Sequence, residues 1–161
     1  MDFLNPLALL VAAISALVVG FIWYNPKVFG TVWMKESGMT EADIKGGNMV
    51  KILIMAFIFA FLLAMTMMQM SIHQTGALSL IGGDASQALP SYAAFMADYG
   101  TDFRSFKHGA LHGAMAGIFM ALPIIGINAL FERRSAKYIL VHAGYWIVTL
   151  GVMGSIICGW Q

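Results

Sequence analysis

Residues 106–131 read "FKHGALHGAMAGIFMALPIIGINALF", and how this stretch is read decides the fold. After Lys107 it carries no acidic or basic side chain. A helix needs roughly 20 apolar residues to cross about 30 Å of hydrocarbon, and this run is longer. Two rows spaced by four pass through its first half. Gly109, Gly113 and Gly117 form a strip of small residues on which another helix backbone can settle closely. His108 and His112 put two imidazoles on one helical face, the spacing of paired metal ligands. The same ten residues, 108–117, thus offer both a packing surface and a metal box.

The remaining sequence favours lipid as the solvent. Of 161 residues, 60% are hydrophobic and 11% charged, and the mean hydropathy is +0.78. Soluble domains carry about a quarter charged residues, so too few charges are present to solvate a globular surface. Three further stretches match the first in length and character: 4–24, 50–72 and 137–160. Lipid offers no partner for unpaired backbone groups, and no alternating ten-residue pattern suggests a barrel. The predicted architecture is a single all-α domain over 1–161, an integral membrane bundle of four transmembrane helices. The first stretch is expected to remain as a span, because Asp2 is the only early charge and the apolar run is too long for a signal peptide. The lone Cys158 excludes an intramolecular disulfide. A net charge of +1 with no basic run gives no argument for nucleic acid, which leaves membrane lipid as the partner that composition implies.

Cations set the expected orientation. Lys27, Lys35, Lys45 and Lys51 lie between spans one and two, and Arg133, Arg134 and Lys137 between spans three and four. The opposite side holds only Arg104 and Lys107. The positive-inside rule therefore predicts that the basic loops are cytoplasmic and both termini extracytoplasmic.

Local signals fill in the connections. Asn5-Pro6 opens span one as cap and first helical residue, and Asn25-Pro26 closes it. In "KVFGTVWMKESG", Val28, Phe29, Val32 and Trp33 recur at helical spacing, predicting a short interfacial segment. Thr40 and Asp43 read as a capping box for one further turn before Gly46-Gly47. Span two is expected to end at His73, followed by turns through "TGALSLIGGDASQ". A short helix then starts at Pro90, with Tyr92, Phe95, Met96 and Tyr99 on one face, giving a lid-like outer loop between spans two and three. Pro123 should kink span three, since it cannot donate to the preceding turn.

Every span carries small residues at intervals of four. Span one has Ala12, Ala16 and Gly20, span two has Ala56, Ala60 and Ala64, and span four has Gly151, Ser155 and Gly159. Close backbone packing drives helix association in lipid, so these rows predict a compact bundle. The histidines divide by depth. His142 lies near the inner side, about 20 Å from His112 at a rise of 1.5 Å per residue, so the two cannot share a metal. His73, His108 and His112 all fall on the outer side, with Asp98 and Asp102 above them. Three imidazoles and a carboxylate suit zinc or another borderline ion. The simpler reading puts His108 at the headgroup boundary and His112 against a neighbouring helix, and depth alone leaves both readings open. Met65, Met67, Met68 and Met70 wrap around span two instead of lining one face, which favours packing over copper.

Two words in the chain resemble the small bacterial membrane proteins grouped as domain of unknown function 1761. One is Trp-Tyr-x-Pro-x-x-Phe-Gly-x-x-Trp, here Trp23, Tyr24, Pro26, Phe29, Gly30 and Trp33. The other is Asn-x-x-Phe-Glu, here Asn128, Phe131 and Glu132, before a final helix that closes on Gly154 to Trp160. The similarity covers most of the chain, is weaker through 73–105, and does not include the histidine pair. It implies a four-helix bacterial inner-membrane protein with no assigned reaction. In the aromatic word itself, Pro26 stops the helix, Gly30 permits a turn and the aromatic rings hold the segment at the inner surface, as an anchor or as a docking surface.

No Asp or Glu falls within a span, and no phosphate loop, cysteine pair or catalytic acid pair is present. The expectation is a non-enzymatic bundle without a cofactor that assembles with itself or with a larger membrane complex. The alternative is a small carrier or channel for a metal ion or small solute, with a His/Met site at its outer mouth.

Overall fold

The computed structural model describes residues 5–161, so Asp2 and the Leu4 start of the first predicted span lie outside it. Helix α1 runs over Pro6–Trp23, capped by the Asn5 side chain, which accepts from the Leu7 and Ala8 amides. A single wide turn over Pro26–Gly30 leads into α2, Thr31–Ser37. The short α3, Glu41–Gly46, opens on the reciprocal Thr40–Asp43 capping box. Helix α4 spans Met49–Ser71, followed at once by α5, His73–Leu80, and later by α6, Pro90–Tyr99. The third span is continuous over Phe106–Phe131 and comprises α7, Phe106–Ala116, a wide turn over Gly117–Ala121, and α8, Leu122–Phe131. Helix α9 covers Ala136–Gly159. Only helices, turns and loops occur among the described residues, and four helices are long and apolar enough to cross a membrane.

The helices alternate in direction. The start of α9 meets the end of α1, where the Trp23 indole N–H donates to the Val141 carbonyl at 3.0 Å. The end of α9 meets the end of α4, where the Cys158 thiol donates to the Ser71 carbonyl at 3.3 Å. The bundle thus has a basic end, carrying the 1–2 and 3–4 connections, and a histidine end, carrying the 2–3 connection. Between them the core is narrow and lined by small residues: Ala12, Ala13, Ala16, Ala60 and Ala64 are buried, with Met67, Leu150, Met153 and Ile157 filling the gaps. Large side chains such as Phe21, Ile54, Phe59, Leu62, Phe119 and Ile124 point outward. This inversion of the soluble pattern is what lipid as solvent demands, because helices there gain from close backbone approach and lose nothing by exposing leucine.

The glycine row of α7 lies on α9. A methyl group on Gly109 would overlap the Gly154 carbonyl oxygen, one on Gly113 the Leu150 carbonyl oxygen, and one on Gly117 would sit 2.5 Å from the Ile147 Cα. The partner row on α9 differs from the expected one. Gly154, not Ser155, makes the closest approach, a methyl group on Gly151 would keep 3.7 Å from its nearest neighbour although the Gly151 Cα would lie 2.8 Å from one on Gly113, and Gly159 abuts the Phe106 ring. The closest contacts run through Leu150, Gly154 and Cys158, a row with the same spacing of four set one residue earlier, about 100° around the helix. On α1 and α4, Ala12, Ala16, Ala60 and Ala64 are buried, Ala56 is half-buried, and Gly20 faces the Tyr145 ring.

Three local expectations need correction. Span two ends at Ser71, not His73: Ile72 adopts an extended conformation and His73 opens a new helix. The segment read as turns after His73 is helical as far as Leu80. Burial of Gln74 and Thr75 at its start fixes this helix, with the Gln74 amide donating to the Tyr99 and Asp102 carbonyls, so tertiary anchoring overrides the weak local propensity. Ahead of Pro123, where a kink was expected, the span stays helical and carries the wide turn over Gly117–Ala121, one turn before the missing donor.

Candidate metal centre

Each imidazole at the histidine end is placed by its own local device. Ser105 caps α7 by accepting from the His108 amide at 3.2 Å, which fixes the helical phase of His108 and, one turn on, His112. The Ile72 break turns the chain across the end of the bundle and delivers His73 to the same place from the other side. Facing nitrogens of His108 and His73 lie 3.0 Å apart, and one ligand atom from each of His73, His108 and His112 lies within 4.8 Å of the others. The ring centroids are 4.9 Å (His73–His108), 5.0 Å (His73–His112) and 4.5 Å (His108–His112) apart.

The group fits the coordination chemistry of a borderline divalent ion. Tetrahedral zinc at about 2.0 Å from each nitrogen holds its ligand nitrogens about 3.3 Å apart. The His73–His108 separation is close to that already, and a small rotation closes the third side. His73 is exposed and the other two are partly buried, so an ion reaches the group from the face of the bundle. No carboxylate belongs to the group among the described residues: Asp98 stands apart, and Asp102 lines an adjoining cavity shared with His73. The methionines stand apart in function as well. Met67 is buried in the core while Met65 points outward, so they fill and coat α4 without forming one ligand face.

Just below the group, Arg104 is buried. Its Nε donates to the Cys158 carbonyl at 3.1 Å, where the α9 C-terminus favours positive charge. Burial holds its pKa below the usual guanidinium range, and it remains a cation.

The fourth histidine is engaged differently. His142 Nδ1 lies 3.3 Å from the Tyr24 hydroxyl, and the Tyr138 ring packs on it at 4.3 Å. Around it the aromatic word folds into a cap on α9. The Trp23 and Phe29 rings are 4.4 Å apart, Tyr24 meets Trp33 and Tyr145 each at 5.2 Å, and Pro26 starts the wide turn. Gly30 is required there, because a methyl group would overlap the Tyr24 carbonyl oxygen. The second word arrives at the same place: Asn128 and Glu132 line a small cavity with Tyr138, His142 and Trp146. Sequence reasoning treated the two words as separate, and no spacing rule could have joined residues 118 positions apart.

Architecture and site together define a helical, multi-span membrane protein with a histidine cluster at one end. The chain matches the family described as Protein of unknown function (DUF1761) over residues 7–158 and belongs to it. No curated protein and no solved structure matches the chain.

Proposed function

We propose that this protein is a non-enzymatic, multi-pass membrane protein that binds a divalent transition-metal ion at its histidine end through His73, His108 and His112. The observation that carries this reading is the convergence of three imidazoles from two separate helices, with the His73 and His108 nitrogens facing and none of the three hydrogen-bonded to another described side chain outside the group. Three neutral imidazoles with an open fourth position suit zinc, cobalt or nickel, and the open position allows the ion to be exchanged. The core beneath is packed with alanines and apolar side chains, which offer a divalent ion no route of oxygen and nitrogen ligands, so the reading is a receiver at one face and not a channel. The positive-inside argument puts that face outside the cytoplasm of a bacterial inner membrane.

Equilibrium dialysis of the purified protein against buffered zinc tests this. About one ion per chain is expected, with affinity falling at least tenfold in His108→Ala plus His112→Ala and unchanged in His142→Ala. Equal binding by all three proteins would refute the proposal. Assembly with itself or with a larger complex is a separate proposal. Much of the rows that suggested it packs inside one chain, and one outward apolar face open to it is that of α4, with Ile54, Ile58 and Leu62. Native mass spectrometry at several concentrations decides between a monomer and a defined oligomer.

A further inference from the structure

A cavity of about 250 Å³ adjoins the histidine group and is lined by His73, Gln74, Phe95, Tyr99, Asp102 and Phe103. Its walls are mainly aromatic. Phe95 and Tyr99 pack at 5.2 Å, and His73 meets the Phe103 ring edge-on at 5.9 Å. Gln74 is 4% exposed, and its amide nitrogen is fully used, donating to the Tyr99 carbonyl at 2.9 Å and the Asp102 carbonyl at 3.0 Å. Its amide oxygen is buried without a hydrogen-bond partner among the described residues, in a residue that lines the cavity. The two nitrogen bonds fix which way the amide points, so the oxygen cannot turn away to find a donor. A buried acceptor without a partner is costly, and a ligand donor placed there recovers the cost. Mainly aromatic walls, with Asp102 among the lining and one unpartnered amide oxygen as acceptor, describe the complement of a small planar ring carrying one N–H or O–H.

We propose that this cavity binds a small aromatic molecule with a single N–H or O–H donor, of the phenol or indole type, with Gln74 as the acceptor. His73 belongs both to the cavity wall and to the histidine group, so ligand and metal occupancy are linked. This link rests on the metal reading above, whereas the binding of the ring does not. An ion on His73 fixes the imidazole and with it the cavity wall, so zinc tightens ligand binding. By reciprocity the ligand tightens zinc binding by the same factor.

Fluorine NMR on the full chain in detergent separates the two parts. The probes are 4-fluorophenol and 4-fluoroanisole, which differ by the lost donor, each titrated with and without one equivalent of zinc against empty micelles. Saturable binding of the phenol is expected, about tenfold tighter than the ether, which is the worth of one hydrogen bond. Zinc should tighten the phenol several-fold, and His108→Ala plus His112→Ala should remove that gain while leaving phenol binding intact. Phe103→Ala removes an exposed wall without touching the core and should weaken both probes. Gln74→Met should equalise them.

Uptake of the phenol no greater than by empty micelles overturns the cavity proposal. Equal affinity for phenol and ether overturns the role of Gln74. Unchanged phenol affinity in protein shown by dialysis to hold zinc overturns the link. Failure of dialysis to show zinc at all refutes the metal reading instead, and the phenol comparison without zinc still decides the cavity.

Discussion

The two ends of the bundle both collect histidine, but with opposite results. At the basic end His142 is held by the Tyr24 hydroxyl and stacked under Tyr138, so its ring works as a structural wedge between the aromatic cap and α9. At the histidine end His73, His108 and His112 have mainly one another for company, and their nitrogens face inward on a common point. An imidazole already committed to the fold is a poor ligand, whereas three that are hydrogen-bonded to no other described side chain outside their group, two of them packed on Phe103, form a ligand set. The lesson is that spacing within one helix does not distinguish the two cases. His108 and His112 become a candidate site only because α5 begins where it does and supplies the third ring.

Substitutions should widen or erase this contrast in a definite order. The largest effect belongs to the scaffold shared by both ends. Gly113→Leu forces a branched side chain into the Leu150 carbonyl, and overpacking of this kind costs about 3 kcal/mol or more. Loss of cooperative thermal unfolding in detergent, together with loss of metal binding, is expected. A native-like melting profile would show that α7 and α9 are not in the described contact.

Next comes His112→Ala, which should lower zinc affinity at least tenfold with little change in apo-protein melting, since His112 has no fold-holding bond. His142→Ala should do the reverse, leaving zinc affinity alone and lowering stability. Parallel dialysis and melting curves read both. Zinc binding at the histidine end should also weaken on acidification, because a protonated imidazole can no longer donate a lone pair. A flat zinc affinity from pH 8 to pH 5 would point to ligands other than histidine.

A smaller effect is expected at the cap. Trp23→Phe removes the indole bond to Val141 and should cost about 1 kcal/mol without touching zinc affinity. The smallest effect is that of Asp43→Ala at the exposed Thr40 capping box, which should fray α3 visibly in amide exchange but not in global melting. The Thr40 hydrogen bonds hold the Asp43 carboxyl below its ordinary pKa, so that stabilisation is full above the unfolded value and fades as pH falls through the lower folded value.

The sequence made the spans legible to within a residue or two, because lipid imposes one strong constraint on length and polarity. Asn5-Pro6, the Thr40–Asp43 box and the helix at Pro90 were legible too, since each is a local signal whose partner lies within a few residues. The failures share a cause. Helix α5 is held by Gln74 bonds to carbonyls 25 and 28 residues away, and no local pattern reports such an anchor. The α9 contact line was misread because several small residues offered alternative rows, and only the approach to Gly109 selects Gly154. For the histidine group, depth was legible but azimuth was not. His73, His108 and His112 could be assigned to one end, yet their meeting depends on the turn at Ile72.

The most direct test is X-ray absorption at the zinc edge of the fully loaded protein. The account predicts three imidazole nitrogens at about 2.0 Å around each zinc, completed by an oxygen ligand. A zinc environment of oxygen or sulfur with fewer than two imidazoles, or one unchanged in His73→Ala, would contradict it.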